Sequence, residues 1–158
     1  MKRFLKFGLV ALVGLLFISS CASLMPPPEE MKTYEAIINL ENMSKDEIFV
    51  KSNSWFVEHF VSAESVIQYS DKDAGKIMGK YVLTEYLALV PHHFKSLMSI
   101  DIKDHKVRVV FKDAQIKVGN GYGWAEANQL RYFEILQPKW KALAKDLEEY
   151  LKNDSSDW

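Results

Sequence analysis

The stretch "SLMSIDIKDHKVRVVF" constrains the fold more than any other in the chain. Met98, Ile100 and Ile102 alternate with polar residues, and after the intervening "KDHK" Val107, Val109 and Phe111 again fall on one side, with Arg108 between the first two. Alternation with period two is the signature of a strand that is wet on one face and buried on the other. Two such runs joined by a short polar turn make an antiparallel hairpin. A hairpin with one apolar face needs a second layer to cover it, so the rest of the chain has to supply helices.

The chain supplies two. Ser44 followed by Glu47 forms a capping box, and Asp46 adds negative charge where a helix N-terminus favours it. Ile48, Phe49, Ser52, Trp55, Phe56, His59 and Phe60 then share one helical face. Near the C-terminus, Trp140, Leu143, Ala144, Leu147 and Leu151 form a second stripe. That helix is expected to begin at Pro138, since proline suits a first turn. Residues 125–137 fit no single pattern, and an earlier helix ending before the proline is one reading. "TYEAIINL" reads as a first strand, with Tyr34, Ala36 and Ile38 on one side. "SVIQYSDKDAGKIMGKYVLTEYL" reads as two strands around a Ser70–Gly75 turn, and "AQIKV" as an extension of the sheet or a further short strand. The expected fold class is α+β: a curved antiparallel sheet with a helix after the first strand and a C-terminal helix, over residues 33–152. The last residues, 153–158, are expected to fray.

The N-terminus belongs to none of this. Lys2, Arg3 and Lys6 precede a twelve-residue apolar run, Phe7–Ile18. As a helix that run would span about 18 Å, short of a hydrocarbon core of roughly 30 Å. A basic start, a short apolar run and small residues after it describe a secretory signal over residues 1–20. The run ends in "ISSC", similar to the lipobox of bacterial lipoproteins: an aliphatic residue and two small ones before a cysteine. The resemblance implies a lipid on the Cys21 thiol, cleavage before it, and attachment to a bacterial membrane, the outer membrane being the expected one. Pro26–Pro28 in residues 21–32 read as an extended tether holding the domain off the bilayer.

Loss of residues 1–20 removes three basic residues and no acid, leaving 17 Lys and Arg against 21 Asp and Glu, a net charge of −4. That balance argues against nucleic acid as a partner. Cys21 is the sole cysteine, so a lipidated chain has no thiol left for a disulfide, a nucleophile or a metal.

"GKIMGKY" misses the phosphate-loop pattern, because its glycines are four apart and Tyr81 replaces the Ser or Thr that binds magnesium. His92 and His93 are adjacent, so a strand would point them to opposite faces. No metal site or other cofactor is expected. No G-x-S-x-G elbow occurs. Asp113, Glu126 and Glu134 are candidates for paired acids only if the fold assembles them. The loop "GNGYGW" is the best candidate for ligand or partner contact, through Tyr122 and Trp124, since exposed aromatics bind well.

At this level the chain resembles a bacterial family known as a domain of unknown function with a TBP-like fold, common in envelope proteins and lipoproteins. The resemblance is carried by "SKDEIFVKSNSWF", "VIQYSDKDAGKIMGKY" and "IDIKDHKVRVVF", and extends over roughly residues 34–118. Where the family often has Asp-Gly in the last turn, this chain has Asp104-His105. Val90–Phe94 also depart from the pattern. The resemblance implies the antiparallel sheet and two helices read above and brings no activity with it; the TBP name describes shape alone. The expectation is therefore an envelope protein held to the membrane by a lipid, binding a partner protein or ligand without catalysis. An envelope hydrolase acting on wall or glycan is the alternative.

Overall fold

The computed structural model describes residues 24–60, 67–121 and 123–153. The expected signal segment, Cys21, Tyr122 and most of the expected tail lie outside those residues. The elements in chain order are β1 (Tyr34–Asn39), α1 (Lys45–His59), β2 (Ile67–Asp71), β3 (Lys76–Leu87), β4 (Val90–Lys103), β5 (Lys106–Val118), β6 (Ala125–Glu126) and α2 (Leu130–Lys152). The strands form one antiparallel sheet in the order β1-β5-β4-β3-β2, with β6 added to β5. The α+β expectation holds: a helix follows the first strand and another closes the chain.

The register follows the alternation seen in the sequence. Met98, Ile100 and Ile102 of β4 and Val107, Val109 and Phe111 of β5 are all buried on the helix side. Lys103 pairs with Lys106 across the two-residue Asp104-His105 turn, where His105 takes a φ of +64°. Neighbours hold that turn in place. Asp104 accepts from the Lys45 backbone N–H, and the His105 backbone bonds both Leu40 and Met43. Val90–Phe94, which departed from the family pattern, is the start of β4. β5 continues through "AQIKV" after a bulge, with Asp113 and Ala114 lying opposite Ser96 alone and Asp113 at a φ of +54°.

Both helices cover one face of the sheet. Ser44 Oγ accepts from the Glu47 N–H at 3.3 Å, as the capping box required. Trp55 and Phe56 are buried, and a chain of rings runs from Trp55 through Phe60, Tyr81 and Phe111 to Trp140, with centroids 5.7–6.2 Å apart. Asp146 of α2 accepts from Trp55 Nε1 at 2.8 Å and lies 2.9 Å from His59 Nε2, which ties the two helices together.

The C-terminal helix differs from its expected start. It runs from Leu130, and Pro138 lies inside it. A proline there removes one helical hydrogen bond. The apolar stripe of Phe133, Leu136, Trp140, Ala144, Leu147 and Leu151 nevertheless passes through it unbroken and buried, while the Pro138 ring faces water. Burial of that continuous stripe outweighs the local preference of one residue.

Residues 24–32, expected as an extended spacer, run along α2. Pro28 keeps polyproline geometry (φ −56°, ψ 147°), and a 3-10 turn follows at Glu29–Lys32. The Met25 carbonyl accepts from the Leu130 N–H at 2.7 Å, and Gln137 donates to the carbonyls of Met31 and Thr33. Gln129 provides no side-chain cap. Met25 therefore satisfies one of the N–H groups that every helix start leaves unpaired.

At the β3–β4 turn, Leu87 pairs with Val90, and both turn residues lie in the left-handed region, Ala88 at φ +48° and Leu89 at φ +67°. Asn and Gly suit that turn geometry, whereas Leu is strained there. Leu89→Gly is expected to raise folding stability by roughly 1 kcal/mol, measured by urea denaturation.

Candidate functional site

Among the described residues no helix covers the second face of the sheet, and cross-strand pairing arranges its side chains in rows. The lowest row joins Lys76, Asp101 and Arg108 across β3, β4 and β5. Arg108 donates to Asp101 at 2.8 and 3.2 Å, and Lys76 Nζ lies 3.3 Å from the other carboxylate oxygen. The next row is Met78, Ser99 and Val110. Above it come Lys80, Leu97 and Lys112, then Val82, Lys95 and Gln115, then Thr84, His93 and Lys117. Met78, Val82, Leu97 and Val110 on this face are half-buried. The upper half of this face thus sets four lysines among apolar side chains. A shallow open depression of about 280 Å³ lies among them, lined by Lys80, Lys95, Leu97, Asp113 and Gln115.

Trp124, one of the two predicted contact residues, joins this face. It is half-buried, and Lys95 Nζ lies 4.4 Å from the centre of its ring, within cation–π range. The glycine-rich loop therefore brings an aromatic plate from the sheet edge to the lysine rows. Tyr122 lies outside the described residues. The lysine rows could have been found in the sequence from the alternation of Lys76, Lys80, Lys95 and Lys117. Their meeting depends on a strand register that one sequence does not fix.

Of the three candidate acids, the fold brings Asp113 and Glu126 to one depression and leaves Glu134 apart. Asp113 and Glu126 border the same depression of about 460 Å³ on the β5 edge, with Lys32 and Lys112. Asp113 lies 3.9 Å from Lys112, and Glu126 exerts its charge on Lys32. Both acids are exposed and each has a lysine beside it, an arrangement common on protein surfaces. Glu134 does not border that depression.

The histidines occupy four different places. His92 is buried, with Nδ1 against the Val90 carbonyl at 2.9 Å and its ring 6.5 Å from Phe94. His93 points to the open face and bonds Thr84 at 2.9 Å. His59 is at the helix pair and His105 in its turn. Among the described residues no group of three or more His, Asp or Glu could hold a metal ion.

Asp101 is the titrating group most clearly set by its surroundings on this face. Burial alone would raise its pKa, but the hydrogen bonds from Arg108 and Lys76 outweigh that and hold it below the usual carboxylate value. A carboxyl with a lowered folded-state pKa adds stability above its unfolded pKa of about 3.9, and that stability is lost as pH falls through the lower folded value. Asp101→Asn is therefore expected to lower the urea midpoint at neutral pH. The gap from the native chain should close as pH falls through the lowered folded-state value.

Solved structures share the fold, two of them as follows. One is a DUF4468 family protein from Bacteroides ovatus, 12% identical with a TM-score of 0.66, the match covering 84% of this chain and 94% of that one. The other is a TBP-like protein from Parabacteroides distasonis, 16% identical with a TM-score of 0.67, covering 82% of this chain and 99% of that one. No curated protein matches. The sequence model for the domain of unknown function with TBP-like fold matches residues 34–117, more than half of the chain and every strand from β1 to β5. The chain belongs to this family, DUF4468.

Proposed function

We propose that the protein is exported, lipid-modified at Cys21 and displayed at a bacterial outer membrane, where the open face of its sheet binds a protein partner or ligand without catalysis. The observation that carries the binding role is the uncovered face itself. Its apolar side chains and lysines stand in rows, with Trp124 stacked over Lys95. Such a surface offers apolar contact and an aromatic plate, which the energetic centres of interfaces favour, among lysines whose charge steers an oppositely charged partner. It suits a partner surface that is apolar and acidic. Export and anchoring rest on the basic start, the short apolar run and the "ISSC" sequence.

The test is photo-cross-linking in intact cells, with the reactive group placed at Lys80 or Lys112 on the open face, or at Lys141 on the exposed side of α2. A discrete adduct is expected from the open-face positions alone. Trp124→Ala should weaken that association by roughly tenfold, about 1.4 kcal/mol. The same products from all three positions, or no adduct from the open face, would overturn the reading.

A further inference from the structure

One end of the domain carries more exposed apolar surface than folding requires, and the chain leaves for Cys21 from that same end. The β3–β4 turn projects beyond the sheet: His92 pairs with Val118 at the end of β5, and β4 continues past that pair to Val90, about 7 Å further along the strand. At this tip Leu89 is 94% exposed and Tyr86 70%, with Val90 at 42% and Val118 at 45%. Leu89 holds this exposure at a positive φ, where Gly or Asn would sit without strain. Neither packing nor backbone geometry accounts for a leucine at that position.

The N-terminal segment meets the start of α2, whose first turn packs against β4 near the tip. Tyr132, in the first turn of α2, lies 6.3 Å from His92, ring to ring, two residues from the Leu130 N–H that bonds the Met25 carbonyl. Leu24 and Met25 are themselves 58% and 59% exposed. From Leu24 back to Cys21 is three residues, a reach of at most about 11 Å in any conformation. The turns at the opposite end, around Asp73, Asp104 and Asn42, are polar.

We infer that this end is a bilayer-docking edge, in which Leu89, Tyr86 and Val90 of the hairpin tip enter the lipid interface beside the acylated Cys21. The inference rests on the lipid-anchor reading above and adds to it the lipid surface as the occupant of the tip. An anchor within about 11 Å of Leu24 holds this end of the domain close to the bilayer, where interfacial apolar side chains reach about 5–10 Å into the headgroup boundary. Lys117, next to Val118, adds positive charge where anionic headgroups lie. The docked strands point toward the membrane, which leaves the open sheet face clear to the side.

The experiment uses the full-length lipidated protein on vesicles of phosphatidylethanolamine and phosphatidylglycerol. With Cys21 acylated, an Ala88→Cys variant has a single free thiol for an environment-sensitive fluorophore, and Lys103→Cys places the same probe at the opposite end. The expected result is a blue shift and strong quenching by nitroxide-labelled lipids for the probe at 88, no change at 103, and loss of quenching at 88 when Leu89→Asp is added. Protein that floats with the vesicles while the probe at 88 stays as insensitive as that at 103 overturns the docking edge and leaves the anchor standing. Quenching that persists with Leu89→Asp overturns it as well, since the probe alone then accounts for insertion. Wild-type protein that fails to float overturns the anchor and the docking edge together. A probe shielded in cells but not on vesicles assigns the tip to a protein and overturns the lipid assignment.

Discussion

Trp140→Ala is expected to cost about 3–5 kcal/mol of folding stability. Trp140 is fully buried in the middle of α2, stacks on Phe111 at 5.8 Å and meets Phe133 edge-on at 6.2 Å. Its Nε1 donates to Ser96 Oγ at 3.2 Å, so truncation also leaves a buried hydroxyl without that partner. The site cannot collapse easily, because the sheet lies on one side and the helix stripe on the other. A loss of that size is a large share of the roughly 5–15 kcal/mol that holds a domain together. The variant should unfold at much lower urea than the native chain, with the slope of the transition unchanged. A midpoint within experimental error of the native one would show that α2 does not cover the core as described.

Gly75→Ala is expected to cost about 2–5 kcal/mol, from backbone strain and overpacking combined. Gly75 closes the β2–β3 turn at a φ of +63°. An added Cβ would stand 2.5 Å from the Ile102 carbonyl oxygen and 2.7 Å from Lys45 Cε. The lysine end can swing away, but the backbone of β4 cannot. That backbone is also bonded to the turn, Ile102 N–H to the Gly75 carbonyl at 2.7 Å. Relief of the clash would have to open the turn from the sheet. Gly79→Ala, in the middle of β3, makes a useful comparison because its backbone lies in a paired strand and not at a positive φ.

The sequence made legible those elements whose signals are local and repeated. Ser44 and Glu47 announced the start of α1. The alternation around Asp104-His105 announced β4, β5 and the buried face of each. What escaped depended on contacts between segments distant in the chain. Pro138 argued for a helix start, yet the buried stripe that carries α2 through it begins with Phe133 and Leu136, whose partners are on the sheet. Three prolines argued for a free spacer, but the bond from Leu130 to Met25 and those from Gln137 to Met31 and Thr33 join that segment to α2. His105, Leu89 and Asp113 take left-handed backbone without being glycine, so the turn at Ala88-Leu89 and the bulge at Asp113 had no residue signal. Trp124 was legible as a candidate contact. Its place over Lys95 was not, because β5, the bulge and the loop together decide it.

Where the domain is held decides what it can meet, and one measurement bears on that directly. Cells expressing the native chain and its Cys21→Ala variant are grown with labelled palmitate, and the mature protein is weighed intact by mass spectrometry. The account predicts label and a diacylglycerol-bearing N-terminus at residue 21 in the native protein, with neither label nor cleavage in the variant. Equal labelling and processing of the two chains, or a native protein that retains residues 1–20 without lipid, would contradict it.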